Sequence, residues 1–390
     1  MALSAQTRAQ RRLRRVAHAL GSRENSFSLP LLGSAPAGAA LVPPDRAHIL
    51  SAGAFHTLAV EDLPPVSESQ PSLQEGKQYG FLPVVNPEPT ALTPEIIAHY
   101  NERGYTPPIQ IYSEAEASAN RAYFDGLMAQ LEAEGRDSYS VQSFHLKART
   151  IWDMASNPAI LDRVADILGP DFVMWGSHMF CKMPNDGRAM RPVPLHQDAT
   201  YWPFDISRTC TVWLALDDAD QENSAMTFVP GKSTIAEACS CRAASLTEPC
   251  AGSHRRCIPW NHYTEPGAVL ANETPEPLSH GNGEGLYINA MPAGYASMHA
   301  DLLIHGSAPN MSTRRRAGLT LRYCASDCGP LGGETNSGRG TFFGGYVVRC
   351  RGEPGLWGEA GMCVGPPPVG QEDWSPLTGK QVKAAQLVAV

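Results

Sequence analysis

Apolar positions along this chain follow two periods, and the change falls near residue 172. Between about Tyr79 and Pro170 they recur at the spacing of amphipathic helices. Thr93-Pro94-Glu95 opens the first helix, with threonine as N-cap and proline in the first turn. Ile96, Ile97 and Tyr100 supply its apolar face up to Gly104. Ser113-Glu114-Ala115-Glu116 opens a second, which runs to about Glu134 and stops at Gly135. Two shorter helices are expected over 150–155 and 158–168, the latter closed by Gly169-Pro170. From Phe172 onward the pattern turns to short β-type runs broken by Gly, Pro, Asn and Asp. They cover 172–183, 209–216, 226–229, 294–305, 317–323 and 341–349. Short strands with turn signals predict a sandwich or barrel. The expected fold class is α+β, mainly β: a cupin-like jelly-roll barrel buttressed by the N-terminal helices.

Outside this patterned region the chain reads differently. Residues 1–23 carry six arginines and no acidic residue, which fits a mitochondrial transit peptide or a disordered leader. On the leader reading the protein is expected in the cytoplasm. Residues 24–77 are rich in Pro, Ala and Ser, so 1–77 is expected to be a poorly ordered extension. One catalytic domain is expected over 78–350, followed by a C-terminal extension over 351–390. Within the domain, 233–287 lacks periodicity, and an insert of that length is expected to act as a lid.

Composition narrows the class of partner. Apolar residues at 43% against 18% charged indicate a soluble globular chain, and no apolar run is long enough for a transmembrane helix. The net charge of −8 argues against a nucleic-acid or polyanion partner. The chain has ten cysteines but no secretory apolar segment, which fits reduced thiols. Cys239, Cys241, Cys250 and Cys257 could otherwise form a zinc knot, though they lack paired C-x2-C spacing.

Candidate chemistry centres on Pro194-Leu195-His196-Gln197-Asp198. On a strand, residues two apart project to one face, so His196 and Asp198 would point together into a cavity. They make two-thirds of a 2-His-1-carboxylate triad, which leaves positions of an octahedral Fe(II) open for O2 and substrate-type ligands. A second such triplet, His299-Ala300-Asp301, stands later in the chain. Were that the metal pair, its second histidine would come from upstream or from His305 on the same strand. With His196 and Asp198 as the pair, His305 completes the set from a distant strand, facing it across the jelly roll. Arg316 follows eleven residues after His305, one turn on, at the start of a strand expected to neighbour it. A guanidinium there can hold a carboxylate in bidentate fashion. The iron would be chelated by the 1-carboxylate and 2-oxo group of 2-oxoglutarate, and Arg316 would pair with the far carboxylate. Arg314 belongs to the solvated turn.

Several separated segments now agree with one family. They are 195–204 (Leu-His-Gln-Asp-Ala-Thr-Tyr-Trp-Pro-Phe), 213–219 (Trp-Leu-Ala-Leu-Asp-Asp-Ala), 223–231 (Asn-Ser-Ala-Met-Thr-Phe-Val-Pro-Gly) and His305-Gly306-Ser307 through Asn310 and Ser312 to Arg316. Together they resemble the phytanoyl-CoA dioxygenase family from about Leu92 to Tyr323, with Leu168-Gly-Pro-Asp171 and Phe180-x-Lys-x-Pro184 in register. The resemblance implies a double-stranded β-helix and dependence on Fe(II), 2-oxoglutarate and O2, with ascorbate as reductant. It places iron at His196, Asp198 and His305, and 2-oxoglutarate at Arg316 with Ser307 and Trp213 beside it. The implied reaction hydroxylates an unactivated C–H of a small molecule and releases succinate and CO2. Desaturation or cyclisation at the same iron, and a non-catalytic jelly-roll binding protein, stand as alternatives; halogenation is disfavoured because Asp198 fills the halide position. The family's usual Pro-Gly-Ser-His reads Pro230-Gly231-Lys232-Ser233 here. Tyr201, Trp202 and Phe204 line a substrate pocket or belong to the core, and His178 and His299 either face the cavity or are satisfied core histidines.

Overall fold

The computed structural model describes residues 80–184, 192–200, 202, 204–229, 287–330 and 346–369. Helix α1 (Pro94–Arg103) starts where the Thr93 hydroxyl accepts from the Ile96 N–H, and it ends at Gly104, whose φ of 84° suits a residue without Cβ. After the short strand β1 (Ile109–Gln110), α2 (Glu114–Ala133) opens on a reciprocal cap. Ser113 takes the Glu116 N–H, and the Glu116 carboxylate takes the Ser113 N–H at 2.8 Å. Helices α3 (Arg149–Ala155) and α4 (Pro158–Leu168) follow, the second capped by Asn157.

Ten further strands complete the described fold: β2 (Phe172–Lys182), β3 (Val193–His196), β4 (Thr209–Ala215), β5 (Thr227–Phe228), β6 (Tyr287–Ile288), β7 (Tyr295–His299), β8 (His305–Ser307), β9 (Arg316–Ala325), β10 (Val347–Arg351) and β11 (Cys363–Val364). A short helix α5 (Leu356–Glu359) separates the last two. They form a seven-stranded sheet in the order β1-β7-β4-β9-β2-β10-β11 and a four-stranded sheet in the order β3-β8-β5-β6. All neighbours run antiparallel except β10 and β11. All described residues except 85–87 belong to one compact unit.

Strand alternation divides β9 between two environments. Ala317, Leu319, Leu321 and Tyr323 join Phe124 and Leu127 of α2 and Ile160 and Val164 of α4 in one apolar cluster. The intervening Arg316, Gly318, Thr320 and Arg322 take the opposite face, and Arg316 bonds there to Ser307 of the small sheet. Burying a side chain such as Leu319 removes it from water for roughly 1.5–3 kcal/mol, so the cluster fixes which face of β9 turns away from the helices.

Several expectations are met only in part. The protein is a mixed α/β chain with two sheets. Among the described residues no ladder closes them into a barrel. The run over 294–305 divides into β7 and β8, because the chain turns at 301–303 to pass from the large sheet to the small one. Structure also continues past residue 350, where β11 pairs with β10 and Trp357 is buried. The stretch 1–77, the four cysteines between 239 and 257, and the insert over 233–287 apart from Tyr287 lie outside the described residues. No described helix is long and apolar enough to cross a membrane.

One polar anchor ties the chain ahead of α1 to α4. The buried Asp166 carboxylate accepts the backbone N–H groups of Thr90 at 3.0 Å, Ala91 at 2.7 Å and Leu92 at 2.8 Å. Hydrogen bonds to a charged group contribute roughly 1.5–3 kcal/mol, and their loss strands buried donors. Asp166→Ala is therefore expected to lower unfolding free energy by at least about 2 kcal/mol, read as a lower urea midpoint at unchanged m.

Candidate active site

His196 is the last residue of β3, and it pairs directly with His305, the first residue of β8. The two imidazoles come from adjacent strands of the small sheet, not from strands facing across a barrel. Their ring centroids lie 4.3 Å apart. Asp198 is not on the strand: the chain leaves β3 into a short 3-10 turn (Asp198–Thr200), and the turn, not strand alternation, brings its carboxylate back. Its Oδ1 lies 3.5 Å from His196 Nε2 and its Oδ2 3.8 Å from His305 Nε2. One ligand atom from each of the three side chains falls within 4.8 Å of the others, and all three residues are buried. Among the described residues the alternative pair forms no such group: Asp301 is absent from it, and its backbone carbonyl accepts the Ala199 N–H.

The protonation states suit a cation. Burial pushes the Asp198 carboxyl up, but His305, His196 and Arg322 together outweigh it and hold the group well below the usual carboxylate range. Burial, then the neighbouring His196, pushes His305 down to about 4. His305 is therefore neutral at pH 7. Its Nδ1–H donates to the Leu303 carbonyl at 2.9 Å, which leaves the Nε2 lone pair facing Asp198. Two imidazole nitrogens and an ionised carboxylate are the donor set of non-haem Fe(II), so the residues fit that metal.

Arg316 comes from the other sheet and meets Ser307 of β8. Strands β8 and β9 follow one another in sequence but lie in different sheets, so the arginine is not on a strand beside His305. Its Nε donates to the Ser224 carbonyl at 3.0 Å, one terminal nitrogen donates to Ser307 Oγ at 3.3 Å, and the guanidinium lies 5.5 Å over the Trp213 ring. Arg316, Ser307 and Trp213 are thus brought together. The three consecutive arginines part company here. Arg314 is exposed and pairs with Asp220 at 2.6 Å and Glu222 at 3.2 Å, while Arg315 pairs with Asp217 and Asp125. Arg316 is 2% exposed and forms no ion pair among the described residues; burial pushes it down to about 10. A buried cation held only by a carbonyl and a hydroxyl is a fit for an added carboxylate.

Other residues near the site were less legible. Lys182 is buried and donates to Ser224 Oγ at 3.1 Å, to the Ser307 carbonyl at 2.9 Å and to the Ala308 carbonyl. Burial, then Arg316, pushes it down to about 6. His178 is satisfied by the Tyr139 carbonyl at 3.0 Å and sits in the wall as a neutral ring. His299 is different: its Nε2 lies 3.9 Å from Asp198 Oδ2 and its ring 4.6 Å from that of His305. Trp202 and Phe204 pack on Trp175 in a second apolar cluster. Arg322 was missed altogether. The available signal was period two, since a residue six positions after Arg316 on one strand shares its face.

The family described as phytanoyl-CoA dioxygenase (PhyH) matches residues 76–318, which include His196, Asp198, His305 and Arg316. The chain belongs to the phytanoyl-CoA dioxygenase family. A probable alpha-ketoglutarate-dependent hypophosphite dioxygenase of Stutzerimonas stutzeri is 28% identical over 202 residues, which cover 51% of this chain and 61% of that protein. The peroxisomal phytanoyl-CoA dioxygenase of Bos taurus is 32% identical over 174 residues, covering 44% and 45%. The chain therefore spans about half the length of the curated relatives it matches. Among solved structures, the apo form of ThoJ, a non-heme monooxygenase, shares the fold at a TM-score of 0.51 and 22% identity, covering 69% of this chain and 87% of its own.

In this phytanoyl-CoA dioxygenase family member Gly318 lies beneath the Trp213 indole, and a Cβ at that position would collide with the ring. Gly318→Ala is expected to displace Trp213 and destabilise the protein by roughly 1–3 kcal/mol. Near-UV circular dichroism with urea unfolding checks this; an unchanged spectrum and midpoint would show that the close approach is not needed.

Proposed function

We propose that this protein is an Fe(II)- and 2-oxoglutarate-dependent dioxygenase that hydroxylates an unactivated C–H of a small molecule, releasing succinate and CO2. The convergence of His196, Asp198 and His305, with Ser307 of the same strand bonded to an Arg316 that has no carboxylate partner among the described residues, carries this reading. On it the fold is a double-stranded β-helix, with the metal triad on the small sheet and the helices behind the large one. Iron, when bound, supplies the O2 activation that no protein side chain can. The protein's share is position. His196, Asp198 and His305 would hold the metal. Arg316 would fork onto the far carboxylate of 2-oxoglutarate, with Ser307 and Trp213 fixing the guanidinium. The buried aromatic and aliphatic surroundings exclude water from the reacting atoms. Asp198 keeps a carboxylate where a halide would have to bind, which favours oxygen transfer over halogenation. The curated relatives are named for compounds as unlike as hypophosphite and phytanoyl-CoA, so membership of the family does not select a substrate.

Two sets of variants test the assignment. His196→Ala, Asp198→Ala and His305→Ala should each lose iron and abolish succinate formation from 2-oxoglutarate, assayed with Fe(II) and ascorbate. Asp301→Ala should keep most of both. Iron lost from Asp301→Ala but retained by Asp198→Ala would reverse the assignment.

Arg316→Lys keeps a charge but loses the planar two-point fork. It should raise the KM for 2-oxoglutarate at least about tenfold, roughly 1.4 kcal/mol of cosubstrate binding, with iron content unchanged. Arg314→Lys, on the exposed turn, should be near neutral. A damaging Arg314→Lys beside a silent Arg316→Lys would refute the role given to Arg316.

A further inference from the structure

The large sheet carries a second polar row near the metal triad. Thr211 of β4 pairs with His299 of β7 on one side and with Arg322 of β9 on the other. Paired residues share a face, so the three side chains stand in line at the roughly 4.8 Å spacing of neighbouring strands. On β2 the row ends at Gly176, which has no side chain. Its face is that of Trp213 and Arg316, because Thr211 and Trp213, like Arg322 and Arg316, lie an even number of residues apart. At about 3.3 Å per residue, the Arg322 backbone lies about 20 Å along β9 from that of Arg316. Arg316 opens the strand, and Arg322 lies three residues before its end at Ala325.

All three members of the row are buried, and two hold side-chain polar atoms without a hydrogen-bond partner among the described residues. His299 is 1% exposed, and neither of its ring nitrogens has a hydrogen-bond partner among the described residues. The Thr211 hydroxyl, also 1% exposed, has none either. Leaving such groups unmet is unfavourable, so their arrangement calls for a ligand. Arg322 brings the charge. Its guanidinium lies 5.8 Å over the Trp175 ring and 5.6 Å over that of Trp202, which brace it in the wall. Burial pushes the Arg322 guanidinium down, and the Asp198 carboxylate opposes that shift. A metal at the triad would engage that same carboxylate and set a second cation beside the arginine.

We propose that Arg322, Thr211 and His299 form an oxyanion subsite that binds an anionic group of the organic substrate. This rests on the dioxygenase reading above and gives the substrate a class: a small molecule carrying a carboxylate or a tetrahedral phosphorus or sulfur oxyanion. Arg322 supplies a charged fork, and the Thr211 hydroxyl and one ring N–H of His299 complete the donor set. The substrate is held by its anion against the large sheet, with its reacting carbon towards the triad.

Isothermal titration of the full chain loaded with Mn(II) and saturated with 2-oxoglutarate tests this, with methylphosphonate and propionate as probes. Saturable binding of at least one probe is expected, and the preferred probe separates a tetrahedral oxyanion from a carboxylate. Arg322→Gln should weaken that binding at least about tenfold and Thr211→Val about threefold, while affinity for 2-oxoglutarate stays within about twofold. Equal probe affinity in wild type and variants would overturn the subsite. So would a fall in 2-oxoglutarate affinity with probe binding intact, because Arg322 would then serve the cosubstrate. Should Arg322→Gln fail to fold, Arg322→Lys and Thr211→Val decide by the same comparison. A wild type that takes Mn(II) and 2-oxoglutarate but neither probe at millimolar concentration defeats this inference alone. A wild type that takes neither Mn(II) nor 2-oxoglutarate defeats the dioxygenase reading and this inference with it.

Discussion

Directly opposed residues of an antiparallel pair stand about 4.5–5.5 Å apart, a distance set by the backbone ladder and indifferent to side-chain chemistry. His196 and His305 occupy such a pair, so the separation of their imidazoles is inherited from β3 and β8. Everything else in the cluster is arranged around that fact. The 3-10 turn after His196 returns Asp198 to both rings, and the Leu303 carbonyl fixes which nitrogen of His305 faces it. The large sheet then sets Arg316 against Ser307 and His299 near Asp198. Rings held by the ladder need little reorganisation to accept a ligand, which is what a preorganised site requires.

Burial sorts three neighbouring arginines into two kinds. Arg314 meets exposed carboxylates, where solvent screens the pairs and each contributes little, and Arg315 meets Asp125 and the half-buried Asp217. Arg316 gives up hydration for a carbonyl, a hydroxyl and an indole face. A buried charge so incompletely met is unfavourable for folding alone. It becomes sensible in a binding site, where the missing anion arrives with the ligand. The contrast lies on one continuous stretch of three residues, so it reflects position and not composition.

Local rules carried the helices well. Thr93, Ser113, Asn157, Gly104 and Gly169 mark their ends because capping depends on a few consecutive residues. The order His196, Asp198, His305, Arg316 was also legible, since spacing along a chain survives folding. What the spacing could not carry was strand partnership. Whether β8 lies beside β3 or opposite it is decided by which apolar faces meet, a non-local property. The same limit hid the break between β7 and β8, since one run of apolar residues can serve two sheets if the chain turns within it. Arg322 escaped notice for a related reason: Leu-Thr-Leu-Arg-Tyr at 319–323 reads as an ordinary strand until the face shared by Thr320 and Arg322 is known to turn away from the helices.

Ser307 lies two residues after His305 on β8, so the two side chains share a face of the same strand. Its hydroxyl accepts from Arg316 and its carbonyl from Lys182. A metal drawn to His305 and an anion drawn to Arg316 would therefore pull on one three-residue strand from two directions. Thermodynamic linkage makes such a connection reciprocal: whatever factor the metal adds to the affinity for the anion, the anion adds to the affinity for the metal. On this arrangement the order in which the two bind is a matter of kinetics, and the strength of the filled site belongs to neither ligand separately.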